Sequence, residues 1–199
     1  MVTLLLLRHA PHSDVGEVLS GRLPGARLGE SGRRLAARLG ARVAREAPVA
    51  LLSSPQERAR ETAKLVGAAC GLETQTEIAL DEIDFGAAWT GRRFADLAGE
   101  PAWQRWNAER AASRPPGGES MGEAQARMLA WMATLPSRFA DGTVAVVSHA
   151  DVIKAALFGV LGLTLDAHWR MEIAPASVSA VRLGSGSSDA RVLLVNEAA

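Results

Sequence analysis

Three short apolar runs in this sequence each stop at polar residues of a kind that can do chemistry. Thr3-Leu4-Leu5-Leu6-Leu7 stops at Arg8-His9, Val49-Ala50-Leu51-Leu52 stops at Ser53-Ser54-Pro55 with Arg58 a turn further on, and Thr143-Val144-Ala145-Val146-Val147 stops at Ser148-His149. If the runs are neighbouring strands, these polar groups converge on one edge of a sheet. A phosphoryl group asks for planar guanidinium donors that match its oxygens and for a nucleophile that is free near neutral pH. Arg8, Arg58 and His9 supply both. Imidazole, with a reference pKa of ~6.5, is largely unprotonated at pH 7 and can accept a phosphoryl group if its second nitrogen donates to a carbonyl that fixes the tautomer. His149 could donate to the equatorial oxygens as charge shifts in the transition state.

The elements around these residues fit that placement. Each of the three runs is short and continuously apolar, as expected of a strand buried on both faces. Leu35, Leu39 and Val43 recur at helical spacing between Glu30 and Ala47, with Arg34, Arg38, Arg42 and Arg45 on another face, which reads as a solvated arginine stripe. A serine cap with Pro55 at the first position predicts a helix through about Ala69, and Asp151 is placed to cap a helix from Val152 to about Leu161. Phe94 to Ala112 and Met121 to Phe139 read as helices joined by Ser113-Arg114-Pro115-Pro116-Gly117-Gly118. Val178 to Leu183 and Arg191 to Val195 read as strands around a hairpin turn at Gly184 to Asp189. Strand and helix alternate, so the expected fold is α/β: a three-layer α/β/α sandwich with a largely parallel central sheet, built as one domain over residues 1–199. In such sheets ligands bind beyond the carboxyl ends of the strands.

Composition excludes several classes. Lys and Arg number 22 and Asp and Glu 22, so the chain lacks the basic excess that non-specific nucleic-acid binding draws on, and any anion site must be local. The single cysteine, Cys70, cannot build a disulfide framework, which points to a reducing setting. The opening run is too short for a signal-peptide core, and no segment approaches the ~20 apolar residues of a membrane span, so a cytoplasmic protein is expected. Apolar helix faces could make a homodimer, but a dimer stripe and a core stripe read alike.

A family resemblance adds to this reading. Leu6-Leu7-Arg8-His9-Ala10 resembles the L-x-R-H-G/A signature of the histidine phosphatase superfamily, the phosphoglycerate-mutase-like group. Gly21-Arg22 with Leu28-Gly29-Glu30-Ser31-Gly32 resembles its G-R…L-T-x-x-G stretch, and Ser53-Ser54-Pro55-Gln56-Glu57-Arg58-Ala59 its S-S-P-x-x-R-A helix start. Leu80-Asp81-Glu82-Ile83-Asp84-Phe85-Gly86, Gly117-Gly118-Glu119-Ser120 and Val147-Ser148-His149 are similar to its L-x-E-x-x-F-G, G-G-E-S and V-S-H segments. The resemblance implies the phosphoglycerate-mutase-like fold, with His9 as the phosphorylated nucleophile and Arg8, Arg58 and His149 as the phosphate pocket. It implies Glu82 as proton donor to the leaving oxygen, a small phosphoester as substrate, and no metal or other cofactor.

The chain departs from the pattern in two places. The asparagine often found six residues after the nucleophile is Val15 here, so a neutral phosphate contact is missing, and Ser13 or Arg22 could replace it. The loop after Gly86 is one residue longer than usual, which puts Asp81 or Asp84 back in play beside Glu82 as the acid. Trp89, Arg92 and Arg93 follow that segment and are candidate substrate contacts, as is Ser120 beside the phosphate. The compact length favours hydrolysis over phosphoglycerate-mutase-type transfer, which needs closing segments to exclude water. With the Asp84-Phe85-Gly86 stretch, that length is similar to the α-ribazole phosphatases. Two other classes stay open. Gly118-Glu119-Ser120-Met121-Gly122 matches the nucleophile elbow of serine esterases but follows Arg114-Pro115-Pro116-Gly117, which cannot be a central strand; and a phospho-ligand binding module without catalysis would keep the same pocket. A metal held by His12, Asp14 and His149 lacks a spacing that aims the rings together.

Overall fold

The computed structural model describes residues 1–139, 141–184 and 189–199. In chain order its main elements are β1 (Val2–Arg8), α1 (Glu30–Ala44), β2 (Ala50–Ser53), α2 (Glu57–Cys70), β3 (Thr74–Thr76), α3 (Gly86–Trp89), α4 (Phe94–Leu97), α5 (Pro101–Ala108), α6 (Met121–Met132), α7 (Leu135–Arg138), β4 (Gly142–Ser148), α8 (Ala150–Leu161), β5 (Ser177–Leu183) and β6 (Arg191–Ala198). The strands form one sheet in the order β3-β2-β4-β1-β5-β6. The first four are mutually parallel, and β5 and β6 make antiparallel pairings, β5 with β1 and β6 with β5.

The alternation of side chains along β1 explains the layers. Leu5 and Leu7 face one side, where they pack with Leu39 and Val43 of α1 and Ala59, Ala63 and Val66 of α2. Leu4 and Leu6 face the other, where they join Met128 of α6, Ile153 and Phe158 of α8 and the Trp89–Trp106 cluster. A strand covered on both faces has no polar side to show, hence the unbroken leucine run. The result is the three-layer α/β arrangement that the sequence predicts, with a mostly parallel sheet.

Several local expectations are corrected. The segment from Phe94 to Ala112 is two short helices broken at Gly99-Glu100, because Pro101 can begin α5 but cannot sit inside a helix. Pro136 likewise separates α7 from α6. Ser54 does not cap α2; Gln56 occupies the cap position without a side-chain bond, and Ser54 Oγ accepts from Gln56 N at 3.2 Å instead. The cap residue of α8 is His149, and Asp151 lies in its first turn paired with Arg110. The short edge strand β3, three exposed polar residues, carries no hydrophobic period to read. Of the predicted hairpin turn at Gly184 to Asp189, residues 185–188 lie outside the described residues.

Candidate active site

The strand register brings the chemistry together. Parallel pairing of β1 with β4 sets Leu7 against Val147 and Arg8 against Ser148, so the next residues, His9 and His149, emerge side by side at the carboxyl end of the sheet. Their ring centroids are 5.1 Å apart. Ser53 of β2 pairs with Val147 from the other side, which delivers Ser54 next to His149 and starts α2 so that Arg58 reaches across both rings.

Hydrogen bonding defines the tautomers. His9 Nδ1 lies 2.8 Å from the carbonyl of Ala10, and a carbonyl can only accept, so Nδ1 carries the proton. That leaves the Nε2 lone pair, toward which Arg58 Nε donates at 3.3 Å. Burial, then the charges of Arg58 and Arg8, hold the His9 imidazole well below its ordinary pKa, so it is a neutral base at pH 7. His149 is fully buried and equally neutral for the same leading reason. Its Nδ1 accepts from Arg58 Nη2 at 3.1 Å, since a guanidinium has no acceptor, and its Nε2 therefore donates to Ser54 Oγ at 2.8 Å. Ser54 in turn lies 3.3 Å from Asp81 Oδ1.

Arg58 is 2 % exposed, and besides the histidines it donates from Nη2 to Gly21 O at 2.7 Å while Nη1 has no partner among the described residues. Arg8 donates to Ile173 O at 2.6 Å and likewise keeps a buried Nε without a partner. Two buried guanidinium N–H groups without acceptors among the described residues, beside a neutral imidazole, can receive an anion, because such donors are stable only when something charged or polar meets them.

Glu82 sits on the opposite wall. Its Oε2 is 3.5 Å from His149 Nδ1 and 3.8 Å from Arg58 Nη2, and its Oε1 accepts from Ile83 N at 2.9 Å. Burial outweighs the pull of Arg58, with Asp151 pushing the same way as burial, and the carboxyl is raised to about 7. Glu82 can therefore hold or release a proton near neutrality. Asp81, the alternative acid, is committed elsewhere: it accepts from Gln56 Nε2 at 2.7 Å and from Glu82 N at 2.8 Å and pairs with Arg22 at 3.2 Å. Asp84 accepts from Gly86 N at 2.8 Å, within the turn that leads into α3.

A cavity of about 160 Å³ opens over these groups, lined at its base by Arg8, His9, His12, Arg58 and Glu82, with Ser20 and Gly21 alongside. Ala150 and Asp151 bring the first turn of α8 to its edge, the end of a helix that favours anions. Val15, in the place of the asparagine, lines the cavity too. Ser20, whose buried hydroxyl has no partner, was not singled out by the sequence; its neighbours Gly21 and Arg22 carried the signal. His12 lies with its ring centroid 5.7 Å from that of His9, and burial ahead of the Arg58 charge lowers it to about 4.

The remaining candidates lie outside the cavity lining. Ser13 is exposed and bonded to Asp14. Arg22 is held by Glu82 O at 2.8 Å and Glu119 Oε2 at 3.2 Å, so it braces the wall instead of facing the cavity. Trp89 is 1 % exposed and packs edge-on against Trp103. Arg92 pairs with Glu100 and Arg93 with Glu17. Ser120 caps α6 in a reciprocal box with Glu123 and follows a loop, not the strand that a nucleophile elbow requires. Among the described residues no group of three or more His, Cys, Asp or Glu is placed to hold a metal ion, and no helix is long and apolar enough to cross a membrane.

Arg127 of α6 was not anticipated. It donates to Ala79 O and Asp81 O, both at 2.6 Å, and to Glu119 Oε1 at 2.7 Å, tying together the two loops that flank Glu82. Inside an ordinary amphipathic helix an arginine gives no sign that its partners are backbone carbonyls of a distant loop.

The chain is similar to several known proteins. The bifunctional protein Rv2228c of Mycobacterium tuberculosis is 35% identical over 98% of this chain, which spans about half (53%) of that relative's length. Phosphoserine phosphatase 1 of Hydrogenobacter thermophilus is 31% identical, with 92% of this chain and 87% of that protein covered. Among solved structures, the mycobacterial glucosyl-3-phosphoglycerate phosphatase Rv2419c superposes with a TM-score of 0.87 at 25% identity, covering 99% of both chains. The model of the histidine phosphatase superfamily (branch 1) matches residues 4–197, and the chain belongs to that family.

Proposed function

We propose that this protein is a phosphomonoesterase that acts through a phosphohistidine on His9, with Glu82 as general acid and base, on a small phosphorylated metabolite. The observation that carries the reading is the pairing of a neutral His9, whose tautomer is fixed by Ala10 O, with a Glu82 carboxyl raised to about 7 across the same cavity. In the first step the Nε2 lone pair attacks phosphorus, the P–O ester bond breaks, and the electron pair leaves with the alkoxide oxygen as Glu82 gives it a proton. In the second, the Glu82 carboxylate takes a proton from water. The oxygen attacks phosphorus, the P–Nε2 bond breaks, and phosphate departs with His9 neutral again. Arg8 and Arg58 supply the positive charge for both steps, and their unpartnered N–H groups receive the phosphoryl oxygens. His149 joins them once Nδ1 is protonated, which the dianion favours against the burial and the Arg58 and Arg8 charges that keep the ring neutral.

The test is a rapid acid-free quench of enzyme with a labelled phosphomonoester in the presence of a chelator, with mapping of the labelled peptide for wild type and His9→Ala. An acid-labile, alkali-stable phosphate on the peptide that holds His9, absent in the variant, is expected. Turnover that proceeds without that label, or that survives in His9→Ala, overturns the proposal.

A further inference from the structure

The wall above the phosphate floor has its own chemistry. Val15, Val18, Leu19, Phe85 and Phe94 line the cavity beyond Arg8 and Arg58, with Val15, Val18 and Phe94 half-buried at its mouth. The charged side chains lining it, other than the two arginines of the floor, are Glu82 and Asp151. Among the described residues, the arginines that flank this wall are all engaged. Arg22 is clamped by Glu82 O, Asp81 and Glu119, Arg92 by Glu100 and Arg93 by Glu17. Arg110 pairs with Asp151 at 3.0 Å and stacks on Trp106. A carboxylate carried by the alcohol half of a substrate would therefore lose its hydration against apolar side chains and a glutamate, with no guanidinium free to receive it. An alkyl or aryl group would instead gain from burial there.

We infer that the leaving alcohol this site selects is uncharged and apolar, and that phosphoesters bearing a carboxylate next to the phosphate, such as phosphoserine or phosphoglycerate, are poor substrates. The inference rests on the phosphomonoesterase reading and sharpens it. It also separates this chain from relatives of the same fold whose names describe carboxylated substrates.

The experiment compares kcat/KM for esters with matched primary-alcohol leaving groups: methyl, butyl and hexyl phosphate against O-phosphoserine, with 3-phosphoglycerate alongside. Along the alkyl series kcat/KM is expected to rise, by up to about fourfold per methylene that is buried, and butyl phosphate is expected to exceed both carboxylated esters by about 100-fold. Phe94→Ala should flatten the alkyl series. Val15→Arg, a half-buried rim position, should raise kcat/KM for 3-phosphoglycerate while lowering that for hexyl phosphate. A flat alkyl series, or carboxylated esters hydrolysed as well as butyl phosphate, overturns the inference and leaves the phosphatase reading standing. If no ester is turned over and no phosphoenzyme forms, the phosphatase reading falls, and this inference with it.

Discussion

At the residue scale the site depends on which atom carries which proton, and that is set by groups one bond removed from the cavity. Ser54 is the clearest of them. It accepts from His149 Nε2 and passes its own proton toward Asp81, fixing His149 in the tautomer whose Nδ1 faces Arg58 and Glu82. Ser54→Ala removes that acceptor without touching the cavity lining. Losing one hydrogen bond of ~1 kcal/mol is expected to lower kcat about three- to tenfold, with KM little changed and the phosphohistidine still trapped; Ser54→Thr should restore part of the rate. An unaltered rate in Ser54→Ala would detach His149's tautomer from the chemistry. The sequence made His9, Arg8, Arg58 and His149 visible because each ends or follows an apolar run. Ser54 was visible as part of the Ser53-Ser54-Pro55 stop and as a cap, the commoner use of serine before a helix, and neither showed its bond to His149. Ser20 and His12 fell in a loop whose path is set by long-range contacts, including a bridge from His12 to Leu28, that no periodicity encodes.

At the element scale the central strands β1, β2 and β4 were legible because a strand buried on both faces must be continuously apolar, and the parallel register then fixed the neighbours of His9 without further information. What could not be read was the bracing of the Glu82 wall. The loop before α6 presses against the turn at Asp84–Gly86: Glu119 N donates to Asp84 O at 2.7 Å, and a Cβ on Gly118 would lie 2.2 Å from that same oxygen. Gly86, at φ +67, would likewise bring a Cβ to 2.1 Å from Pro116 O. Neither can be accommodated by turning a side chain, since the obstructing atoms are backbone. Gly118→Ala is therefore expected to push the two loops apart and move Glu82, lowering kcat by at least tenfold and the melting temperature by several degrees, consistent with ~1–3 kcal/mol of overpacking. Arg127→Ala tests the same brace from the helix side. It should lower kcat while the His9 peptide still labels, because His9 stands just past the end of β1, outside the braced loops. Full activity in both variants would show that Glu82 holds its place without them.

Over the whole molecule, the same protonation states tie catalysis to stability. Glu82, with its side chain only 14% exposed, has its folded pKa raised from 4.5 to about 7. The folded protein thus holds a proton that the unfolded chain releases, and stability falls as pH rises through the window between those values. Integrated over it, the loss approaches ~3 kcal/mol. His9 and His149 act with the opposite sign. Their folded pKa values are depressed by burial, so their contribution is present above about 6.5, the unfolded value, and is lost as pH falls below it. Glu82→Gln keeps the side chain's volume and its acceptor for Ile83 N while removing the titration. The variant is expected to be more stable than wild type at pH 8, by roughly 5–10 °C in melting temperature, with the difference vanishing near pH 4.5, and to be the less active of the two at every pH. In wild type, kcat/KM should fall above about pH 7 as Glu82 loses its proton in the free enzyme. A stability difference that does not change between pH 4.5 and 8 would mean that Glu82 keeps its unfolded pKa in the folded protein and is therefore ionised at neutral pH. The acid in the first half-reaction would then have to be sought elsewhere on the cavity wall.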